Sequence, residues 1–171
     1  MLHDARAGAD PHWLTESEQE AWRTVAMLML ALPSRLDAQL QSDSGLTTYE
    51  YMVLSFLSMS PDDTTRMSEL ARVSSSSLSR LSNVVKKMET RGWLTRFPDP
   101  EDGRFTLAQL TAAGRQIVVA AAPGHVSAVR ELVIDPLTAH HLRILADVGR
   151  RLRPGLDLPE SRTAPQASER A

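Results

Sequence analysis

The stretch Ser77-Leu-Ser-Arg-Leu-Ser-Asn-Val-Val-Lys-Lys-Met-Glu-Thr-Arg-Gly92 decides the reading of this 171-residue chain. At a period of about 3.6 residues, Leu81, Val84, Val85 and Met88 share one face, with Leu78 near its edge. Ser79, Arg80, Asn83, Lys86 and Lys87 occupy the other. Ser77 is a good N-cap, because its hydroxyl can accept from a free N–H of the first turn. Gly92 suits the residue just past a helix end, where glycine adopts a left-handed conformation at little cost. The segment therefore reads as a helix over residues 77–91, closed at both ends. Its outer face carries hydroxyls, an amide and cations, and no carboxylate before Glu89. Phosphate oxygens and base edges are what such an inventory suits.

The flanks give this helix a setting. Before it, Met67 to Ser74 forms a short helix around Leu70 and Ala71, with Arg66 where a capping hydroxyl is expected. The serines from Ser74 to Ser77 lie between two short amphipathic helices, so they read as the turn of a helix–turn–helix. After it, Trp93-Leu-Thr-Arg-Phe97 and Phe105-Thr-Leu-Ala-Gln-Leu110 alternate like strands, and Asp99-Pro-Glu-Asp-Gly103 is strong turn chemistry. Together they predict a β-hairpin over residues 95–110 with a long, partly disordered tip carrying Arg104. Thr111 caps the helix that follows.

Further out, Thr15 and Glu18 form a capping box for a long helix through Trp22, Val25, Met29, Leu32, Leu36 and Leu40. That helix is expected to end near Gln41 and to bend or split at Pro33. Thr47 and Glu50 open a second helix running to Met59, and Thr64-Thr65 make a brief strand. Beyond Thr111, Pro123-Gly124 predicts one kinked helix or two in line, and Thr138 starts a last helix with Leu142, Leu145, Val148 and Leu152 on one face. Residues 1–14 read as a mobile arm and 154–171 as a disordered tail.

Composition narrows the classes. Net charge is −2, but Arg66 to Arg96 holds seven basic residues against Glu69 and Glu89, a local +5. Such sign asymmetry is the footprint of a polyanion partner. There is no cysteine, which excludes disulfides and thiolate chemistry. The longest unbroken apolar run, Val25 to Leu32, is far short of a membrane span. No signal-peptide core is visible, and the expectation is a soluble cytoplasmic protein. His140 and His141 are adjacent, hence about 100° apart on a helix, and cannot face one metal ion. No metal site, cofactor loop or catalytic nucleophile is read, so the chain is not read as an enzyme.

The order of elements is that of a winged helix–turn–helix, mainly α with a small β-wing. It resembles the MarR (multiple antibiotic resistance regulator) family. The resemblance rests on Leu46-Thr47, Met67-Ser-Glu-Leu-Ala71, Met88-Glu-Thr-Arg-Gly-Trp-Leu94, and Asp99-Pro-Glu-Asp-Gly-Arg104 followed by Leu110-Thr-Ala-Ala-Gly114. The last piece is the most specific. It implies a DNA-binding domain over 46–114, flanked by dimerisation helices at 15–45 and 115–153. It also implies a homodimeric, cytoplasmic repressor on a pseudo-palindromic operator, and a small aromatic or phenolic effector.

On this reading the recognition helix enters the major groove, with Ser77, Ser79, Arg80, Ser82 and Asn83 near base edges and Lys86 and Lys87 on phosphates. Arg104 resembles the family's wing-tip arginine of the minor groove, with Asp102 holding it. Arg96 meets phosphate at the base of the wing, while Arg66 and Ser68 anchor the backbone. Trp13, Trp22 and Met27 are the candidates to line an effector cleft. The competing reading is a winged-helix module that binds protein. Salt separates the two, because phosphate contacts weaken steeply as it rises.

Overall fold

A computed structural model describes residues 12–156. The chain divides into two compact units, residues 1–34 and residues 35–171. The first unit holds the start of helix α1 (Glu16–Ser44). Its capping box is made: the Glu18 carboxylate accepts from the Thr15 N–H at 2.7 Å and from its hydroxyl at 2.8 Å. Those bonds hold the Glu18 carboxyl below its ordinary range. Trp22, Val25 and Met29 are all exposed. Pro33 does not split the helix, which runs on to Ser44 rather than stopping near Gln41. Gly45 follows the helix end at φ +67°.

The second unit continues with α2 (Thr48–Ser58), β1 (Thr64–Arg66), α3 (Met67–Val73), α4 (Leu78–Thr90), β2 (Leu94–Pro98), β3 (Thr106–Leu110), α5 (Ala112–Val129) and α6 (Ala139–Leu152). Thr47 and Glu50 cap α2 reciprocally, at 2.9 and 3.0 Å. The strands form one antiparallel sheet in the order β1-β3-β2. Leu94 pairs with Leu110 and Pro98 with Thr106, which fixes the hairpin, while Thr65 opposite Ala108 ties β1 to it. Leu54, Leu57, Leu70, Leu81, Val85, Met88, Leu94 and Ala108 make one core beneath α4 and the sheet. Truncating a leucine as buried as Leu81 costs about 2–5 kcal/mol, so α4 is seated firmly.

Three serines of the interhelical turn have tasks of their own. Ser74 ends α3, Ser75 takes a left-handed conformation at φ +47°, and the Ser77 hydroxyl accepts from the Arg80 N–H at 3.2 Å. The far end of the hairpin is tied as tightly. Thr111 donates its N–H to the Trp93 carbonyl at 3.0 Å. Its hydroxyl donates to the Gly92 carbonyl at 2.7 Å and accepts from the Gly114 N–H at 3.0 Å.

Helix α5 passes through Pro123 without a break and widens into a π-type turn over Arg130–Ile134. The whole run Ala112–Ile134 is long and apolar enough to span a membrane by length and composition, which a search for unbroken apolar runs overlooks. Val118 and Ala121 of this run belong to the core, while Val119 and Val126 are exposed. Helix α6 has no buried residue at all. Residues 154–156, expected to start the tail, end a short 3-10 turn, Arg153–Leu156. The rest of the expected tail, 157–171, and residues 1–11 of the expected arm lie outside the described residues.

Candidate nucleic-acid interface

Helix α4 is divided as its periodicity predicts. Leu81, Val85 and Met88 are buried, and Ser79, Arg80, Asn83, Lys86 and Lys87 are exposed on the opposite side. Ser82 and Val84 lie half-buried at the two edges. Leu78 is 54% exposed, more than an edge position of the apolar face suggests.

The seven cations of the basic stretch are not equivalent. Arg66 bonds Asp99 through Nε at 2.9 Å and Nη2 at 2.8 Å, and stacks on Phe105 at 4.3 Å. Arg72 pairs with Glu69 at 2.7 Å. Arg91 sits 3.6 Å from the Glu50 carboxylate and over the Trp93 ring. Arg96 donates to Glu89 at 2.7 Å and to the Ser82 hydroxyl at 3.4 Å. Those bonds from Arg96 hold the Glu89 carboxyl below the usual range. Among the described residues, Arg80, Lys86 and Lys87 have no carboxylate within 4.0 Å. The uncompensated charge is therefore gathered on the outer face of α4.

Two of these cations also carry contacts inside the fold. Arg96, expected on phosphate, braces β2 against α4. Arg66, expected as a backbone anchor, reaches across to the hairpin; α3 has no side-chain cap, because a guanidinium offers no acceptor to a free backbone N–H. Ser68 is exposed beside it.

At the hairpin tip, expected to be partly disordered, the aspartates bond their own backbone. Asp99 is buried and accepts from the Glu101 N–H at 3.0 Å. That bond and the Arg66 guanidinium lower its carboxyl. Asp102 accepts from the Arg104 N–H at 3.2 Å, from Nε at 2.9 Å and from Nη2 at 2.6 Å. The guanidinium holds the Asp102 carboxyl down, and the carboxylate raises Arg104. The Arg104 side chain remains 84% exposed, so it is aimed but not covered. A cleft of about 210 Å³ separates the tip from α4, lined by Ser68, Leu78, Ser82, Arg96, Arg104 and Phe105 among others.

A family model described as MarR family matches residues 44–104, from the end of α1 to the wing arginine. The chain is 38% identical to Sco3205 from Streptomyces coelicolor, a MarR family transcriptional regulator solved in complex with DNA. That match covers 89% of this chain and 98% of that one, with a TM-score of 0.82. The chain belongs to the MarR family. AbsC, another MarR family transcriptional regulator from the same organism, is 37% identical over 83% of this chain and 93% of its own, with a TM-score of 0.76. A mutant MarR from E. coli, complexed with operator DNA, shares the fold at 24% identity. It covers 78% of this chain and 93% of its own, with a TM-score of 0.68. A comparison with curated proteins finds no match.

Membership of the MarR family makes the chain a transcriptional regulator rather than an enzyme. The motif Leu110-Thr-Ala-Ala-Gly114 gains a physical reason here. A Cβ on Gly114 would lie 1.9 Å from the Trp93 carbonyl oxygen, so only glycine lets α5 start against the hairpin. The residues expected to form an effector cleft do not gather. Trp13, Trp22 and Met27 are 77%, 56% and 70% exposed, and five residues of helix turn Met27 about 140° from Trp22. The His140 and His141 rings are 6.1 Å apart, and among the described residues no cluster of metal-ligating side chains forms.

Sequence reading missed Tyr49, Glu50, Glu89, Asp99 and Phe105 as partners of the basic face. Asp99 had a signal, since an aspartate before proline in a turn commonly bonds its own backbone two residues on. The others act across elements and carry no local mark.

Proposed function

We propose that this chain is a DNA-binding transcriptional regulator that works as a two-fold dimer on a pseudo-palindromic operator and represses by occupying it. One observation carries the reading: Ser79, Arg80, Asn83, Lys86 and Lys87 face solvent together on α4, and its three cations have no carboxylate partner among the described residues. Helices bearing such a face fit the major groove, where an arginine reads guanine and an asparagine reads adenine through paired donors and acceptors. Arg104, held by Asp102 and exposed, suits the narrow minor groove alongside. The DNA complex of Sco3205 supports the same polarity of binding partner.

The dimer is supported by surfaces that one chain leaves bare. Ile144, Leu145, Val148 and Leu152 of α6 are 48%, 51%, 42% and 52% exposed. A helix so apolar on one side needs a covering surface, and a second copy is the commonest one. Two recognition helices then meet the same side of the duplex about one turn, roughly 34 Å, apart.

The test is selection from a random duplex pool at ~150 mM salt. A two-fold symmetric motif with half-sites about one turn apart is expected. An asymmetric motif removes the dimeric operator, and no enrichment above bulk duplex removes sequence-specific binding. Blocked transcription from a promoter overlapping the motif separates repression from activation.

A further inference from the structure

Arg80 and Tyr49 are 31 positions apart in the chain, yet the Arg80 guanidinium lies 5.2 Å from the centre of the Tyr49 ring. Tyr49 stands in the first turn of α2 and is half-buried against the core. Its hydroxyl meets the Ser74 hydroxyl at 3.0 Å. The direction of that bond follows from proton count. Ser74 has a single hydroxyl hydrogen, and its Oγ lies 2.7 Å from the Leu70 carbonyl, which can only accept. Ser74 therefore donates to Leu70, and Tyr49 donates to Ser74. The ring is pinned at its base by the core and at its tip by the end of α3, so the face it turns to Arg80 is fixed.

We propose that Tyr49 is a positioning residue for sequence readout, holding the Arg80 guanidinium over its ring so that its donors meet the edge of a base rather than a phosphate. The inference rests on the DNA-binding reading above. An exposed arginine has several rotatable bonds, and ordering it on contact costs conformational entropy. A ring already beneath it removes part of that cost, because a cation over an aromatic face is attracted by the ring's quadrupole. A guanidinium held over a ring face is restricted in position while its edge donors stay free for the paired acceptors of guanine.

The roles separate by substitution in the full-length protein, using the duplex recovered by selection and its single-base variants. Arg80→Ala first identifies the base pair that Arg80 reads. Tyr49→Leu is then expected to cut discrimination at that pair by about two- to five-fold, leaving other positions and the salt dependence unchanged. Tyr49→Phe keeps the aromatic face and should keep most of the discrimination, which also guards against a packing defect in the leucine variant. Discrimination at that pair unaltered in Tyr49→Leu overturns the proposal, as does an equal loss at every position. If Arg80→Ala changes no base preference, Arg80 is not a base reader and the proposal falls with it. A parent protein that binds no duplex instead overturns the DNA-binding reading itself.

Discussion

Replacing Lys87 by alanine tests the division of the basic stretch into free and paired cations. Lys87 is exposed on α4, and among the described residues no carboxylate lies within 4.0 Å of it. A lysine in that state releases a DNA counterion when it meets a phosphate, and each such contact contributes about −0.9 to the slope of log affinity against log salt. In a two-fold dimer the substitution removes two contacts, so the slope should shallow by about 1.8. Between ~50 and ~200 mM salt, a fourfold rise, the variant should lose about 12-fold less of its affinity than the parent. Fluorescence anisotropy of a labelled operator at four salt concentrations reads this directly. The matched control is the double change Arg96→Met with Glu89→Gln. It deletes an ion pair closed at 2.7 Å, removes no net charge and should move the slope by less than about 0.5. An equal shallowing in both proteins would refute the reasoning, since it would mean that Arg96 leaves Glu89 to bind phosphate. An unchanged slope for Lys87→Ala would take Lys87 off the DNA.

Other consequences are as direct. Arg104→Ala should weaken binding roughly a hundredfold to operators with A·T-rich flanks, from the ~1.5 kcal/mol of a charge-assisted hydrogen bond lost at each of the dimer's two wings, and far less to G·C-rich flanks; a titration of both operator types checks it. Gly114→Ala places a methyl group 1.9 Å from the Trp93 carbonyl oxygen and should cost about 1–3 kcal/mol in overpacking, read as a lower urea midpoint. His125 is packed against the Tyr51 ring, with centroids 4.5 Å apart, and burial lowers its pKa below the ordinary 6.5. The unfolded chain therefore takes up its proton first as pH falls. This contribution to stability is complete above about pH 6.5 and is lost progressively below it, down to the folded value. Thermal melts of the parent from pH 7.5 to 5.5 should show that fall, and His125→Gln should flatten it; an equally steep fall in the variant assigns the proton elsewhere.

Neighbouring residues decide among themselves where the elements of this chain begin and end. Caps at Thr15, Thr47, Ser77, Thr111 and Thr138 stand where hydroxyls precede apolar periodicity, because a helix start needs acceptors within three residues. The hairpin was legible from alternation around an aspartate-rich turn, and the family from Asp99-Pro-Glu-Asp-Gly-Arg104 and Leu110-Thr-Ala-Ala-Gly114. The outer face of α4, with Ser79, Arg80, Asn83, Lys86 and Lys87, followed from period alone. Tertiary structure decided which cations remain available. Arg66 meets Asp99 across 33 positions because β1 and β2 both pair with β3, and Arg96 meets Glu89 because β2 turns back along α4. The seat of Arg80 on Tyr49 likewise depends on the fold bringing the first turn of α2 close to the first turn of α4. Ion pairs form wherever the fold brings opposite charges within a few ångströms, and separation along the chain says nothing about that distance. A tally of charges could therefore show that the stretch was basic, whereas only the folded chain shows which three of its seven cations are left without a carboxylate partner among the described residues.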